Sequence, residues 1–213
     1  MKRVALAAIL LALAVTAHAQ NLGPSVEISP TWTISNEMYA GHVKTVLTMN
    51  YLTAGGVIDG KFLEGRLGLM FPVGDFTRKT TTDFLGSLTT TEDTQEISDE
   101  ILYLTLEGLF KYPISKKGLT WFPAGGILAA LNVVNKDQDG NELEKQHLFW
   151  AKLGAGADLK LSPKAVIRGR LMLGLRFLTE AESDAVRSAK NAGYDAGIIP
   201  LRLDAGVSVL FKL

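Results

Sequence analysis

Eight stretches of the chain alternate apolar and polar residues with a period of two. This period places successive side chains on opposite faces of a β-strand, so each stretch is predicted to be a strand with one apolar face. The sequence therefore predicts an all-β fold, a closed eight-stranded antiparallel up-and-down barrel. The predicted strands are residues 26–35, 42–53, 61–72, 100–112, 119–133, 147–161, 165–178 and 199–213.

Each apolar face carries an aromatic residue near one strand end. Aromatic rings concentrate where hydrocarbon meets headgroups, and two such girdles are typical of transmembrane β-barrels. We therefore expect the apolar faces to contact lipid and the polar faces to line the interior. The predicted girdle residues are Trp32, Tyr51, Phe71, Tyr112, Trp121, Phe149, Phe177 and Phe211.

The first nineteen residues are typical of a secretory signal peptide. Lys2 and Arg3 precede an apolar run over residues 4–15, and the sequence Ala17-His18-Ala19 resembles a cleavage site. We predict a signal peptide over residues 1–19 and a single outer-membrane barrel domain over residues 20–213. The absence of cysteine excludes disulfides and thiol catalysis.

Charge does little to identify a partner. Without Lys2 and Arg3, 20 basic residues face 22 acidic residues, a formal charge of −2. This balance does not indicate nucleic acid as a partner.

The connections between the predicted strands alternate in length. Turns are expected at residues 54–60, 113–118 and 162–164, and longer loops at 73–99, 134–146 and 178–198. Thr179 and Glu182 form a capping-box pattern, which predicts a short helix over residues 179–193. Pro30 predicts a bulge or local break in the first strand. Short periplasmic turns and longer outer loops are typical of outer-membrane barrels.

Three stretches carry a family resemblance: LGLMFPVGDF at residues 67–76, the segment 154–177, and the terminal alternation of Val207, Val209, Phe211 and Leu213. With these the chain resembles the small outer-membrane β-barrels of the OmpA, OmpX and OmpW type. The resemblance implies a monomer in the outer membrane of a Gram-negative-type bacterium. It also implies outer-membrane lipids, periplasmic chaperones and the barrel-assembly machinery as partners. The family's terminal signal usually ends in an aromatic residue, whereas this chain ends in Leu213.

The predicted interior faces carry charged residues, ten of them basic and five acidic. An eight-stranded barrel is only wide enough for its own side chains, so these charges need partners. One interpretation is a closing salt-bridge plug. The other is a basic outer mouth, formed by Lys44, Lys152, Arg176 and Arg202, that attracts anions or is capped by acids of the 73–99 loop. The predicted lumen network is Glu64, Arg66, Glu107, Lys152, Asp158, Arg170, Arg176, Arg202 and Asp204.

No catalytic or cofactor site is predicted. His42 and His147, the histidines after residue 19, have no Ser and carboxylate at a recognisable spacing, so we do not expect an enzyme. Residues 135–146 resemble a calcium loop, but Gln146 replaces the bidentate Glu, which favours an Asp-Gly hairpin tip and leaves calcium binding open.

The expected function is that of a non-enzymatic outer-membrane protein that contributes membrane structure and surface interactions through its outer loops. One alternative is a narrow, porin-like OmpW-type channel for small hydrophobic or anionic solutes. A second alternative is a soluble, secreted, lipocalin-like barrel with its apolar faces inward.

Overall fold

The structure is a computed structural model that describes residues 20–38, 42–84, 87–97, 99–116 and 119–213. The predicted signal peptide lies outside these ranges. The strands and the helix are β1 (Asn21–Met38), β2 (His42–Asp59), β3 (Leu63–Phe84), β4 (Ser87–Glu96), β5 (Glu100–Lys111), β6 (Ile114–Lys116), β7 (Leu119–Lys136), β8 (Leu148–Ser162), β9 (Ala165–Arg176), α1 (Glu180–Asn191) and β10 (Asp195–Lys212).

Eight antiparallel strands form a closed ring. Its order is β1, β2, β3, β5, β7, β8, β9 and β10, and β10 pairs again with β1. Strands β4 and β6 lie outside the ring, where β4 pairs with β3 and β6 with β7. The predicted all-β, eight-stranded antiparallel fold is confirmed.

The apolar face of most strands points outward. The exposed fractions of Leu153, Leu171 and Val207 are 72%, 54% and 57%, while Arg168 and Asp204 are almost fully buried. An exterior of exposed leucines around a buried charged interior is the reverse of a soluble barrel. The predicted lipocalin-like alternative, with apolar faces inward, is therefore wrong.

Two strands extend further than the sequence predicts. Residues 54–59 continue β2, and β3 continues to Phe84 and pairs with β4, so the predicted turn at 54–60 and the predicted loop at 73–99 are wrong. Their backbone groups are paired across the sheet, as at Gly56↔Leu67 and Thr81↔Thr90. The β-branched threonines of β3 and β4 suit these extended strands.

Strand β2 has the opposite facing from its prediction. Its residues Thr53 and Tyr51 pair with Glu27 and Ser29 of β1, both of which are buried, so Tyr51 points into the interior and is only 9% exposed. Lys44, predicted to be inside, is exposed. The prediction that Tyr51 belongs to an aromatic girdle is therefore wrong.

Pro30 interrupts pairing without forming a bulge. The pairing of β1 with β10 is missing between Ile28 and Thr31, yet the register is the same on both sides of this gap. A proline lacks the N–H that the ladder requires, which accounts for the local break.

Helix α1 begins where the sequence predicts. The Thr179 hydroxyl accepts a hydrogen bond from the backbone N–H of Glu182, and the Glu182 carboxylate accepts one from the backbone N–H of Thr179. Gly193, just beyond the helix, has a φ of 85°, a left-handed conformation that glycine adopts readily. No helix among the described residues has the length and apolar character needed to cross a membrane.

Candidate functional site

The charged interior contains equal numbers of acids and bases. Within the described residues, six cationic side chains make ion pairs with six carboxylates there, so the formal charge of the cluster is zero. We call this set the lumen network. Its members are Arg66, Lys111, Lys152, Arg168, Arg170 and Arg202 with Glu27, Asp59, Glu64, Glu107, Asp158 and Asp204.

Lys152 is the centre of the half of the network nearer the long outer connections. Its fully buried ammonium contacts Glu107 and Asp204 and lies 3.7 Å from Glu27. Arg170 donates to Glu27 at 2.8 Å and lies 2.6 Å from Glu107. A buried charge is costly unless an opposite charge lies close to it, and each of these groups meets more than one group of opposite charge.

Arg168 organises the other half, nearer the short turns. Its guanidinium donates to Asp158 at 2.6 and 2.7 Å and to Asp59 at 2.6 Å, and it also contacts Glu64. Asp158 is the least buried of these carboxylates, with a side chain 17% exposed. Lys111 contacts Asp59 from β5.

The buried ring of Phe122 lies against two cations of this half of the network. The guanidinium of Arg168 lies 4.8 Å from the centroid of the ring, and the ammonium of Lys111 lies 5.2 Å from it. Cations at these distances are attracted to the face of an aromatic ring.

Arg66 joins the two halves. It donates to Glu64 at 2.7 Å and to the hydroxyl of Ser208 at 3.2 Å, and it lies 3.7 Å from both Glu27 and Glu107. A cavity of about 20 Å³ adjoins Arg66 and Glu27, which is room for about one water molecule. Ion pairs therefore occupy the cross-section of the barrel.

An apolar cluster lies further towards the outer mouth. Tyr51 and Tyr103 are in edge-to-face contact, with ring centroids 6.2 Å apart, and they pack with the buried Met70 and Ala130. This cluster was not predicted, because Tyr51 was assigned to the opposite face of β2.

Arg176 and helix α1 meet at the outer mouth. The Arg176 guanidinium donates to both oxygens of Glu182, at 2.9 and 2.6 Å, and lies 5.9 Å from the ring of Trp150. Burial alone would raise the pKa of Glu182, but the hydrogen bonds from Arg176 and Thr179 outweigh it and lower that pKa. Arg176 thus pairs with the helix, and its predicted place in the lumen network is wrong.

The predicted unpaired basic mouth is wrong. Lys152 and Arg202 contact carboxylates of the lumen network, Arg176 pairs with Glu182, and Lys44 lies on the exterior. Of the loop acids expected to cap the mouth, Glu92, Asp93 and Glu96 are exposed on β4, where Glu92 lies 3.7 Å from Lys79, and Asp99 is exposed beyond that strand.

The sequence missed Asp59 as a member of the network. Asp59 was assigned to a turn, whereas it ends β2 and accepts hydrogen bonds from Arg168, Lys111 and Asn21. Val57 and Asp59 are spaced by two residues, as on one face of a strand, and this spacing was the available signal in the sequence for a longer strand. Both side chains are buried in the structure.

Most of the predicted girdle residues lie on the exterior. Tyr112, Trp121, Phe149, Phe177 and Phe211 are exposed, and Trp32 and Phe71 are partly exposed on outward-facing positions. The exposed rings of Phe62 and Phe110 stack with centroids 6.5 Å apart at the end with the short turns. Phe62 was not predicted, although it directly precedes the apolar face of β3.

The segment resembling a calcium loop forms a tight turn. Asp137 accepts hydrogen bonds from the backbone N–H groups of Asp139 and Asn141, at 3.0 and 2.8 Å, and Gly140 has a φ of 81°. Hydrogen bonds from the side chain and backbone of Asn141 lower the pKa of Asp137. Among the described residues, no group of three or more His, Asp or Glu side chains is arranged to hold a metal.

The two histidines lie apart from the lumen network. His42 is exposed, and the Nδ1 atom of His147 accepts a hydrogen bond from the backbone N–H of Asn132 at 3.2 Å. Both positions are at the outer ends of strands.

No protein-family model matches the sequence, and no curated protein matches it. Similar solved structures include the crystal structure of Neisserial surface protein A (NspA), which is 9% identical with a TM-score of 0.40, covering 89% of this chain and 97% of that chain. The N-terminal β-barrel domain of Pseudomonas aeruginosa OprF is 13% identical with a TM-score of 0.35, covering 89% of this chain and 97% of that chain. The translocator domain of the autotransporter NalP from Neisseria meningitidis is 8% identical with a TM-score of 0.24, covering 100% and 98%. At these scores the similarity says nothing about what this chain does.

Proposed function

We propose that this chain is a non-enzymatic, monomeric outer-membrane β-barrel that is closed to solutes and interacts with other molecules through its outer strands. The observation that carries the proposal is the lumen network, in which six cations and six carboxylates fill the interior. Chaperones and the barrel-assembly machinery would deliver it to the membrane after export.

The exterior supports a membrane location. Exposed leucines run along the barrel wall, as in Leu171, Leu173 and Leu175 of β9, whose exposed fractions are 54%, 55% and 51%. Such a continuous apolar surface is costly in water but favourable in lipid. Ring closure also pairs the backbone groups of the wall, which the hydrocarbon region requires.

The interior supports a closed barrel over a channel. Lys152 and Arg170 lie between the carboxylates of Glu27 and Glu107, and the adjacent cavity has room for about one water molecule. A hydrated ion would have to separate these pairs to pass, which costs several kcal/mol per uncompensated buried charge.

The hairpin of β3 and β4 is the best candidate for surface interactions. All ten residues of β4 are exposed, and among the described residues β4 pairs with β3 along one edge and with no strand along the other. A strand with an unpaired edge offers backbone donors and acceptors to another chain. The hairpin tip also presents Phe84 and Leu88, whose exposed fractions are 51% and 70%.

Single-channel recording in planar bilayers tests the closed state. We expect little or intermittent current from the wild type. Glu107→Ala removes the carboxylate between Lys152 and Arg170, so we expect it to raise the current or lower the melting temperature. The matched control is Glu92→Ala on the exposed hairpin, which should change neither. A large, steady, anion-selective wild-type current, unchanged in Glu107→Ala, would favour the channel alternative.

Protease treatment of intact cells tests location and surface exposure together. Trypsin should cleave after Arg78 or Lys79 in the hairpin, while Lys160 and Lys164, at the opposite end, should remain uncleaved until the outer membrane is permeabilised. The barrel should fractionate with outer membranes and migrate differently in heated and unheated detergent gels. Recovery as a detergent-free soluble monomer would overturn the proposal.

A further inference from the structure

The two ends of the barrel differ in the sign of their exposed charges. The inner end is the end with the short turns and the chain termini of the barrel, and the outer end carries the long strand extensions. At the outer end, acids predominate. In residues 75–100, Arg78 and Lys79 are outnumbered by Asp75, Asp83, Glu92, Asp93, Glu96, Asp99 and Glu100.

The inner end has the opposite charge. Within the part of the chain that the structure describes, its exposed charged side chains are lysines: Lys61, Lys160, Lys164 and Lys212, which we call the inner lysine rim. The nearby acids Asp59 and Asp158 point inward and are engaged by Arg168. None of the four lysines makes an ion pair with a described carboxylate, so their charges are available to a ligand.

Lys61 lies at the depth of the aromatic girdle. The Lys61 ammonium is 5.0 Å from the centroid of Phe62, whose exposed ring stacks on the exposed ring of Phe110. A cation over a girdle ring lies where the hydrocarbon region meets the headgroups. Lys61 is therefore placed at the level of lipid phosphates.

The other three lysines lie at the inner mouth, with Lys160 and Lys212 on the interior faces of β8 and β10 and Lys164 in the turn that follows β8. The backbone N–H of Lys212 donates to the carbonyl of Lys164 at 3.0 Å, which joins the end of β10 to the turn between β8 and β9. Lys160 follows the inward-pointing Asp158 by two residues on β8, so its exposed side chain lies on the interior face at the inner mouth, opposite to the face of Leu159 and Leu161. A long lysine side chain at the rim of the mouth can extend its ammonium to the level of the headgroups.

We propose that the inner lysine rim binds the phosphate groups of anionic phospholipids in the leaflet that faces the periplasm. This inference rests on the proposed membrane location. Among the described residues no exposed acidic side chain competes at this end, and this, with the position of Lys61 beside Phe62, favours lipid phosphate over a periplasmic polyanion such as peptidoglycan. Binding of this kind fixes the depth and tilt of the barrel at its inner end, while the acidic outer end repels the same lipids.

Tryptophan quenching by brominated lipids can measure this preference at each end separately. Trp121 is 47% exposed at the inner end, Trp32 faces outward in the outer half of β1, and Trp150 is buried inside the barrel. Trp32→Phe leaves Trp121 as the lipid-exposed reporter, and Trp121→Phe leaves Trp32. Each variant of the full barrel is reconstituted in phosphatidylcholine vesicles containing brominated phosphatidylglycerol or brominated phosphatidylcholine.

We expect phosphatidylglycerol to bind beside Trp121 about fivefold more strongly than phosphatidylcholine. The attraction between one lysine and an anionic headgroup accounts for a preference of about this size. Trp32 should show no such preference. Replacing the four lysines of the inner rim with Gln should abolish the preference at Trp121. The matched control replaces Lys44, Lys79, Lys136 and Lys145 of the outer end with Gln and should preserve it.

Equal quenching by the two lipids at Trp121, or a preference that survives the inner-rim substitutions, would overturn the inference. Retention of the barrel on purified peptidoglycan without a headgroup preference would also overturn it, in favour of cell-wall binding. Absence of quenching at Trp121 by either lipid would instead show that the chain is not in the bilayer and would overturn the proposed function as well.

Discussion

The ring of Phe122 lies directly against Gly156 on the neighbouring strand. A Cβ atom at Gly156 would lie 2.4 Å from the tip of the ring, a distance that real Cβ atoms do not show. Glycine at this position therefore lets the ring lie beneath Arg168 and Lys111. The contact links the shape of the barrel wall to the charged interior.

Gly156→Ala should destabilise the barrel by about 1–3 kcal/mol, because the added methyl group displaces a packed aromatic ring. Equilibrium unfolding in urea, in lipid or detergent micelles, measures the loss. The control is Gly169→Ala on β9, the strand that pairs with β8, because a Cβ added at Gly169 would have no atom within 4 Å. Equal stabilities of the two variants would contradict the packing described for Phe122.

Lys152→Met should be far more damaging than removal of a surface lysine. The Lys152 ammonium is fully buried between Glu107 and Asp204, so its loss leaves carboxylates short of a partner and costs about 3–5 kcal/mol. The control is Lys79→Met, whose partner Glu92 is exposed, and which should cost at most about 1 kcal/mol. Similar unfolding midpoints for both variants would show that the lumen network adds little to stability.

Leu171→Arg tests which face of β9 contacts lipid. Leu171 is 54% exposed on the wall, and a charge placed near the midplane should cost about 2–4 kcal/mol. Leu161→Arg, near the inner end of β8, should cost at most about 1 kcal/mol because an arginine there can reach the headgroups. Equal unfolding free energies for the two variants would argue against a bilayer around this wall.

The contact between Arg176 and Glu182 should weaken at low pH. The pKa of Glu182 is lowered in the folded state, so its stabilising effect is complete above the ordinary glutamate pKa of about 4.3 and disappears as the pH falls through the lowered value. Amide exchange of residues 180–191, corrected for intrinsic rates, should therefore be roughly tenfold faster at a pH below that lowered value than at pH 7. Glu182→Gln should remove this pH dependence, and its persistence in that variant would contradict the assignment.

The closed interior depends on strand pairing beyond the alternating stretches. Residues 54–59 contain two adjacent glycines, which read as a turn, but pairing with β1 and β3 holds them in β2. That extension brings Asp59 to Arg168 and Lys111 and completes the equality of acids and bases. Which carboxylate pairs with which cation depends on the registers of all eight strands.

The facing of most strands was predictable from the sequence, since one parity is rich in Leu and Phe and the other carries Gly and charges. In β9, Leu171 and Leu173 alternate with Arg170 and Met172, and a shift of one residue would place arginines in lipid. Strand β2 lacks that contrast, because both of its parities mix threonines with apolar residues. Its facing was decided by pairing with β1, where Glu27 must meet Arg170 inside the barrel, and this turned Tyr51 inward. The alternation along a single strand determines its facing when the two faces differ strongly in polarity, and closure of the ring decides the rest.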